Sequence, residues 1–197
     1  MITIMYLYYN QPKSIDFLRE LGAENYQCNF LFVDDGSKVP LKLDWPNAKV
    51  LRIEEDIPWN MSTANNLGFR NLAPESYVLR SDMDHFFTKE QVDQLNSLEL
   101  GTKEIMKFKR SNAKDYPPNI YLAKVKDLLD AGGYSEEFCG NYGYEDKEFL
   151  RRLTLSGMRC TGSPFEIYVH MGMHTVGLDR STSVNLKKYK NLINEKT

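Results

Sequence analysis

The chain has 197 residues, 42% hydrophobic and 26% charged, enough for one globular domain with a sizeable core. A formal net charge of -2 argues against a broad nucleic-acid footprint, and no apolar run approaches membrane-spanning length. Three cysteines without zinc spacing (Cys28, Cys139, Cys160) and an N-terminus without leader character predict a reducing, cytoplasmic setting.

Ile2 to Tyr9 is apolar, aromatic and β-branched, which predicts a central strand. Pro12 opens a helix with Ile15, Phe17, Leu18 and Leu21 on one face, ended by Gly22. Asn29 to Val33 predicts a second buried strand, stopping at the turn signal Asp34-Asp35-Gly36-Ser37. Ala48 to Ile53 is a third strand. Ser62 is placed to cap a helix running to about Leu72. Tyr77 to Arg80 is the next strand, and Thr88 with Gln91 forms a capping box for the helix that follows. Strands alternating with helices imply right-handed βαβ units and a parallel sheet.

The second half is mixed. Ile105 to Lys109 and Ile120 to Ala123 predict strands, and Lys124 to Ala131 a short helix stopped by Gly132-Gly133. Glu145 to Leu155 is a helix with Phe149, Leu150 and Leu153 on its apolar side. Phe165 to Val169 is a strand and Val184 to Ile193 a terminal helix whose lysines (Lys187, Lys188, Lys190) form a solvated face. No linker divides the chain.

Four segments carry candidate chemistry. In Asp82-Met83-Asp84, carboxylates two residues apart after a buried strand face one point. They repel unless one is protonated or a cation lies between them, and a hard divalent ion that also takes phosphate oxygens is the natural occupant. The plainer reading is a turn. Asp34-Asp35 also ends a strand and suits the hydroxyls or base of a nucleoside, because carboxylates accept hydrogen bonds and repel phosphate. Both acidic turns fall at predicted carboxyl ends, where α/β sheets bind ligands. In Gly140-Asn141-Tyr142-Gly143-Tyr144-Glu145-Asp146, acids open a helix beside aromatic rings. This reads either as helix-dipole complementarity or as a general base beside a sugar-stacking surface. Finally, Val169 to His174 holds two of the three histidines. His174 is the first choice as a metal ligand and His170 the second, and imidazole beside carboxylates favours manganese over magnesium.

In this order the motifs resemble those of GT-A glycosyltransferases, closest to the family 2-like enzymes. The similarity takes in Leu7 to Asn10, Phe32 to Ser37, Asn66-Leu67-Gly68-Phe69, Asp82-Met83-Asp84, Leu128 to Phe138 and Tyr142 to Leu150. Met171-x-x-His174 is similar to the metal-binding segment of β-1,4-galactosyltransferases. The chain departs from many family members at Asn65, where they have Arg, and it is short for the family.

The resemblance implies a single GT-A (nucleotide-diphospho-sugar transferase, Rossmann-like) α/β domain with a mainly parallel sheet flanked by helices. Residues 1–84 would be the nucleotide-binding half and 85–197 the acceptor-binding half. It implies a metal-dependent, inverting transferase of polysaccharide biosynthesis, moving a sugar from a UDP-linked donor to a glycan or glycoconjugate hydroxyl. Asp146 would be the catalytic base with Glu145 beside it. Tyr8, Asp34, Asp35, Asn65, Asn66, Arg80, Ser81 and Asp82 would hold the donor, and Tyr142 and Tyr144 the acceptor. Asp82, Asp84, His174 and Met171 would hold Mn2+ or Mg2+. The competing readings are a nucleotidyltransferase or nucleotide-sugar hydrolase, a non-catalytic nucleotide-sugar binder, and a metal-free glycosidase.

Overall fold

Side-chain alternation along the first strands sorts the core into two layers. The computed structural model describes residues 1–111, 116–170, 172–173 and 177–194. In β1 (Thr3–Tyr8) and β2 (Asn29–Asp35), Ile4, Tyr6, Phe30 and Phe32 enter one buried cluster, and Met5 and Leu31 enter the other. Both strands are buried on two faces, so they read as continuous apolar runs. Two helices, α1 (Pro12–Glu20) and α2 (Met61–Arg70), lie between strands in the chain, and α2 approaches closely. At Gly68 a Cβ would stand 2.3 Å from Met5 Sδ, so a larger residue there would force the Met5 side chain aside.

With β3 (Ala48–Ile53) and β4 (Tyr77–Asp82), the first half forms a parallel array in the order β3-β2-β1-β4. The chain steps outward from β1 to β3 and then returns to the other side of β1. That reversal leaves a crevice beyond the carboxyl ends of β1 and β4, where Leu7 pairs with Asp82.

The second half corrects the expectation of a mainly parallel sheet. It adds β5 (His85–Phe86), α3 (Lys89–Asn96), β6 (Glu104–Arg110), β7 (Tyr121–Lys124), α4 (Val125–Asp130), α5 (Glu145–Leu155), β8 (Arg159–Val169) and α6 (Ser183–Asn194). The sheet order is β3-β2-β1-β4-β7-β6-β8-β5. Pairs β4–β7, β6–β7 and β5–β8 are antiparallel, while β6–β8 is parallel, so the sheet is mixed. A short return from β6 to β7 has no room for the crossover helix that parallel neighbours need.

Several boundaries differ from the sequence reading, among them β2, which continues through Asp35. β4 continues through Asp82, β8 begins at Arg159, and β5 is additional. The N-cap of α2 is Asn60, with Ser62 buried inside the first turn. The Thr88 capping box is present, with Gln91 N donating to Thr88 Oγ1. Among the described residues no helix is long and apolar enough to cross a membrane.

Candidate active site

The crevice beyond β1 and β4 opens into a cavity of about 560 Å³. Tyr8 and Tyr9 reach it from the end of β1, Asp35 from β2, and Asp82 to Asp84 from β4. The loop before α5 contributes Tyr142, Tyr144, Glu145 and Asp146, so both halves of the chain meet on one wall.

At the β4 end, Asp82, Asp84 and His85 bring one ligand atom each to within 4.8 Å of one another. His85 is fully buried, with Nε2 3.4 Å from Asp84 Oδ1 and Nδ1 3.4 Å from Ser81 Oγ. Its carbonyl accepts a hydrogen bond from the core hydroxyl of Tyr6 at 2.9 Å, which fixes the backbone of the motif. Two carboxylates and an imidazole suit a hard-to-borderline divalent cation such as manganese.

Asp82 is also held from behind. Arg80 is fully buried and donates Nη1 to Asp82 Oδ1 at 2.6 Å and to the Asn119 carbonyl at 2.5 Å. Its Nε donates to Asn65 Oδ1 at 3.1 Å, and Asn119 Nδ2 donates to Asp82 Oδ2. Burial favours the neutral carboxyl of Asp82, but Arg80, His85, Asn119 and Arg110 together hold it below the usual range.

The first turn of α5 carries the second acidic group. Tyr134 donates to Asp146 Oδ1 at 2.8 Å, and the Tyr121 and Tyr134 hydroxyls lie 3.1 Å apart, both buried. Burial raises the Asp146 carboxyl, with Arg80 opposing and Asp82 adding to the shift. Burial, then the charge of Asp146, pushes Glu145 up to about 7. A carboxylate kept basic in a largely dry wall is suited to accept a proton.

At the opposite end, Asp35 Oδ1 accepts from Asn60 Nδ2 at 3.0 Å. Burial pushes Asp35 up to about 6, against the lowering effect of that amide. Trp59 borders the same end with φ 52°, a left-handed backbone rare for an aromatic residue. Its ring lies 4.5 Å from that of Tyr142, and the Arg180 guanidinium sits over both, 5.1 and 5.3 Å from the ring centres.

Of the residues singled out in the sequence, Tyr8, Asp35, Asp82, Asp84, Tyr142, Tyr144, Glu145 and Asp146 line this one cavity. The remaining donor candidates lie behind its wall. Asp34 is fully buried and accepts from Ser37 N, Leu41 N and Arg52 Nη1 at 3.1, 2.9 and 2.7 Å, so it latches its own loop. Asn66 ties down Tyr134 through N–H and carbonyl at 2.8 and 2.9 Å. Asn65 and Ser81 support Arg80 and His85. The His170 ring packs edge-on against Phe17 at 5.3 Å, while its amide donates to the Asp84 carbonyl at 2.9 Å. Met171 and His174 lie outside the described residues.

The sequence reading assigned no role to His85, Arg110, Asn119, Tyr134, Trp59 or Arg180. His85 directly follows the acidic pair, a spacing that singles it out. The others come from distant segments and carry no local signal.

Three comparisons bear on this arrangement. The family described as the N-terminal domain of galactosyltransferase matches residues 107–175, about a third of the chain. That stretch contains Asn119, Tyr134, Glu145 and Asp146. No curated protein sequence matches the chain. Among solved structures, a mutant Drosophila β1,4-galactosyltransferase 7 in complex with manganese, UDP-Gal and xylobiose superimposes with a TM-score of 0.57 at 15% identity. It covers 82% of this chain and 65% of its own. GalNAc-T7 with UDP, GalNAc and Mn2+ gives 0.61 at 9% identity, covering 94% and 47%. A nucleotidyl transferase from Methanothermobacter gives 0.50 at 13% identity and covers 99% of both chains. This chain therefore spans less than two thirds of the length of either glycosyltransferase. In fold, and over residues 107–175 in sequence, it is similar to the GT-A glycosyltransferases.

Proposed function

We propose that this chain transfers a sugar from a nucleoside diphosphate donor, UDP-linked, to a hydroxyl of a glycan or glycoconjugate, with inversion and with a divalent metal. One observation carries the reading: Asp82 and Asp84 share a single cavity with the buried Glu145 and the half-buried Asp146. Asp82, Asp84 and His85 would hold manganese, and their oxygen and nitrogen donors fit it. When bound, the ion supplies positive charge to the departing diphosphate.

The chain's own residues divide the remaining work. Asp35 and Tyr8 border the nucleoside end, and Tyr142 and Tyr144 present flat apolar faces to an acceptor ring. Tyr134 takes one oxygen of Asp146 and fixes the plane of that carboxylate. Asp146 removes the proton as the acceptor oxygen attacks the anomeric carbon. The bond between that carbon and the phosphate oxygen breaks, the nucleoside diphosphate leaves, and the proton remains on Asp146. In this reading residues 1–84 supply the nucleoside-binding side chains and the later half supplies the base.

General-base assistance contributes roughly 100- to 10,000-fold in rate. Asp146→Asn is expected to lose sugar transfer by that order while UDP affinity in calorimetry stays unchanged. Unaltered transfer removes Asp146 from this role. Equal UDP affinity with and without manganese rejects the metal's part.

The full-length match to a nucleotidyl transferase fold favours one alternative, nucleotidyl transfer from a nucleoside triphosphate. The turn between β1 and α1, Tyr9-Asn10-Gln11, lacks a glycine-rich phosphate loop, which weighs against it. Pyrophosphate release from nucleoside triphosphates in the presence of sugar phosphates decides between them.

A further inference from the structure

Five residues between Arg180 and Tyr189 pack against the loop 137–144. The Arg180 guanidinium lies over Tyr142, and Thr182 Cγ2 stands 3.2 Å from where a Cβ on Gly143 would lie. Lys188 Nζ donates to the Glu137 carbonyl, and the Tyr189 ring lies 5.4 Å from that of Tyr144. At the centre is Asn185, fully buried on α6. Its Nδ2 donates to two carbonyls, Phe138 at 3.0 Å and Asn141 at 2.8 Å. Two converging carbonyls define the amide orientation, since an oxygen in that place would repel both. Asn185 thus fastens both ends of the short stretch leading to Tyr142, Tyr144 and Asp146.

Tyr144 shows why such fastening is needed. Its φ of 73° is left-handed, and it immediately precedes the first turn that carries Glu145 and Asp146. The loop contains Gly140 and Gly143, both at positive φ, and these give the backbone freedom to leave this path. An external template restricts that freedom.

We propose that α6 is the template of the acceptor loop, with Asn185 as a positioning residue that sets Tyr142 and Tyr144 relative to an acceptor sugar. The inference rests on the glycosyltransferase reading and names the element that holds its acceptor side. Asn185 acts through the loop, so donor chemistry alone should not feel it.

The test uses the whole chain in a Trp45→Phe background. This leaves Trp59, whose ring touches Tyr142, as the single tryptophan. Asn185→Asp keeps the shape and removes the double donor. Lys187→Ala, exposed on the same helix, is the control. Expected for Asn185→Asp are a red-shifted, more quenchable Trp59 emission and at least a tenfold loss of kcat/KM for a panel of disaccharide acceptors. UDP affinity and manganese-dependent hydrolysis of UDP-galactose should match the parent. A folded Asn185→Asp with parental Trp59 emission and parental transfer overturns the proposal. So does equal loss of hydrolysis and transfer, which marks a merely structural residue. Where Asn185→Asp does not fold, Tyr189→Leu takes its place, and parental emission and transfer in that variant overturn the proposal equally. Should the parent transfer no sugar to any acceptor, the enzymatic reading fails, while Trp59 emission still decides whether α6 holds the loop.

Discussion

Asp34 and Asp35 are neighbours in sequence with opposite fates. Asp34 is paid out in full to the protein, with Arg52 and two backbone amides on its oxygens, whereas Asp35 faces the cavity with one amide from Asn60. That difference has a pH signature. The Asp35 carboxyl is raised from 3.8 to about 6, so folding favours its protonated form. The associated stability is fully present below pH 4 and is lost as pH rises through about 6, amounting to on the order of 3 kcal/mol. Asp35→Asn is expected to match the parent in urea unfolding at pH 4 and to exceed it at pH 7.5. Parallel stability curves across that range would show that Asp35 titrates normally. Which of two adjacent carboxylates faces the cavity was not legible from their types. It was settled by Arg52, eighteen positions on, arriving from the neighbouring strand.

At the scale of elements, the legible parts were those whose signal is local. Alternation in β1 and β2, the glycine stops and the capping box at Thr88 all depend on residues within a few positions of one another. Thr88→Ala should cost about 1 kcal/mol in urea unfolding and leave UDP affinity untouched, since α3 does not border the cavity. A neutral substitution would mean that Gln91 and solvent satisfy the helix end without Thr88. The elements that escaped the sequence were fixed by partners. β5 has only His85 and Phe86, and it is a strand because β8 lies beside it. The outer part of β8 is mostly exposed, includes Pro164, and carries no apolar run, yet β6 pairs with it through a bulge.

For the whole molecule, the sequence marked acidic residues that line the cavity but not the residues that support them. The acidic motifs were readable because those at Asp34 and Asp82 end strands and Glu145-Asp146 opens a helix. The buried Arg80, the tyrosine pair and Asn119 were not, since each matters only through residues brought in from elsewhere. A divalent ion held by Asp82, Asp84 and His85, as proposed, would bind the native end of β4 and so stabilise the fold. A metal at 100 times its dissociation constant stabilises a native state by about 2.7 kcal/mol. For a chain of this size that corresponds to a rise in Tm of roughly 5–10 °C. Manganese is expected to produce such a rise, and Asp84→Ala to abolish it. Identical melting of the parent with manganese and with chelator would place the ion elsewhere or nowhere.

The paired tyrosine hydroxyls behind Asp146 carry one further consequence. Tyr121 and Tyr134 are both sealed in the interior, so the chain of hydroxyls that starts at Asp146 is a cul-de-sac. In the proposed reaction, a proton taken up by Asp146 would leave toward the cavity and not through these hydroxyls. On that reading, resetting the base would need solvent to reach the crevice.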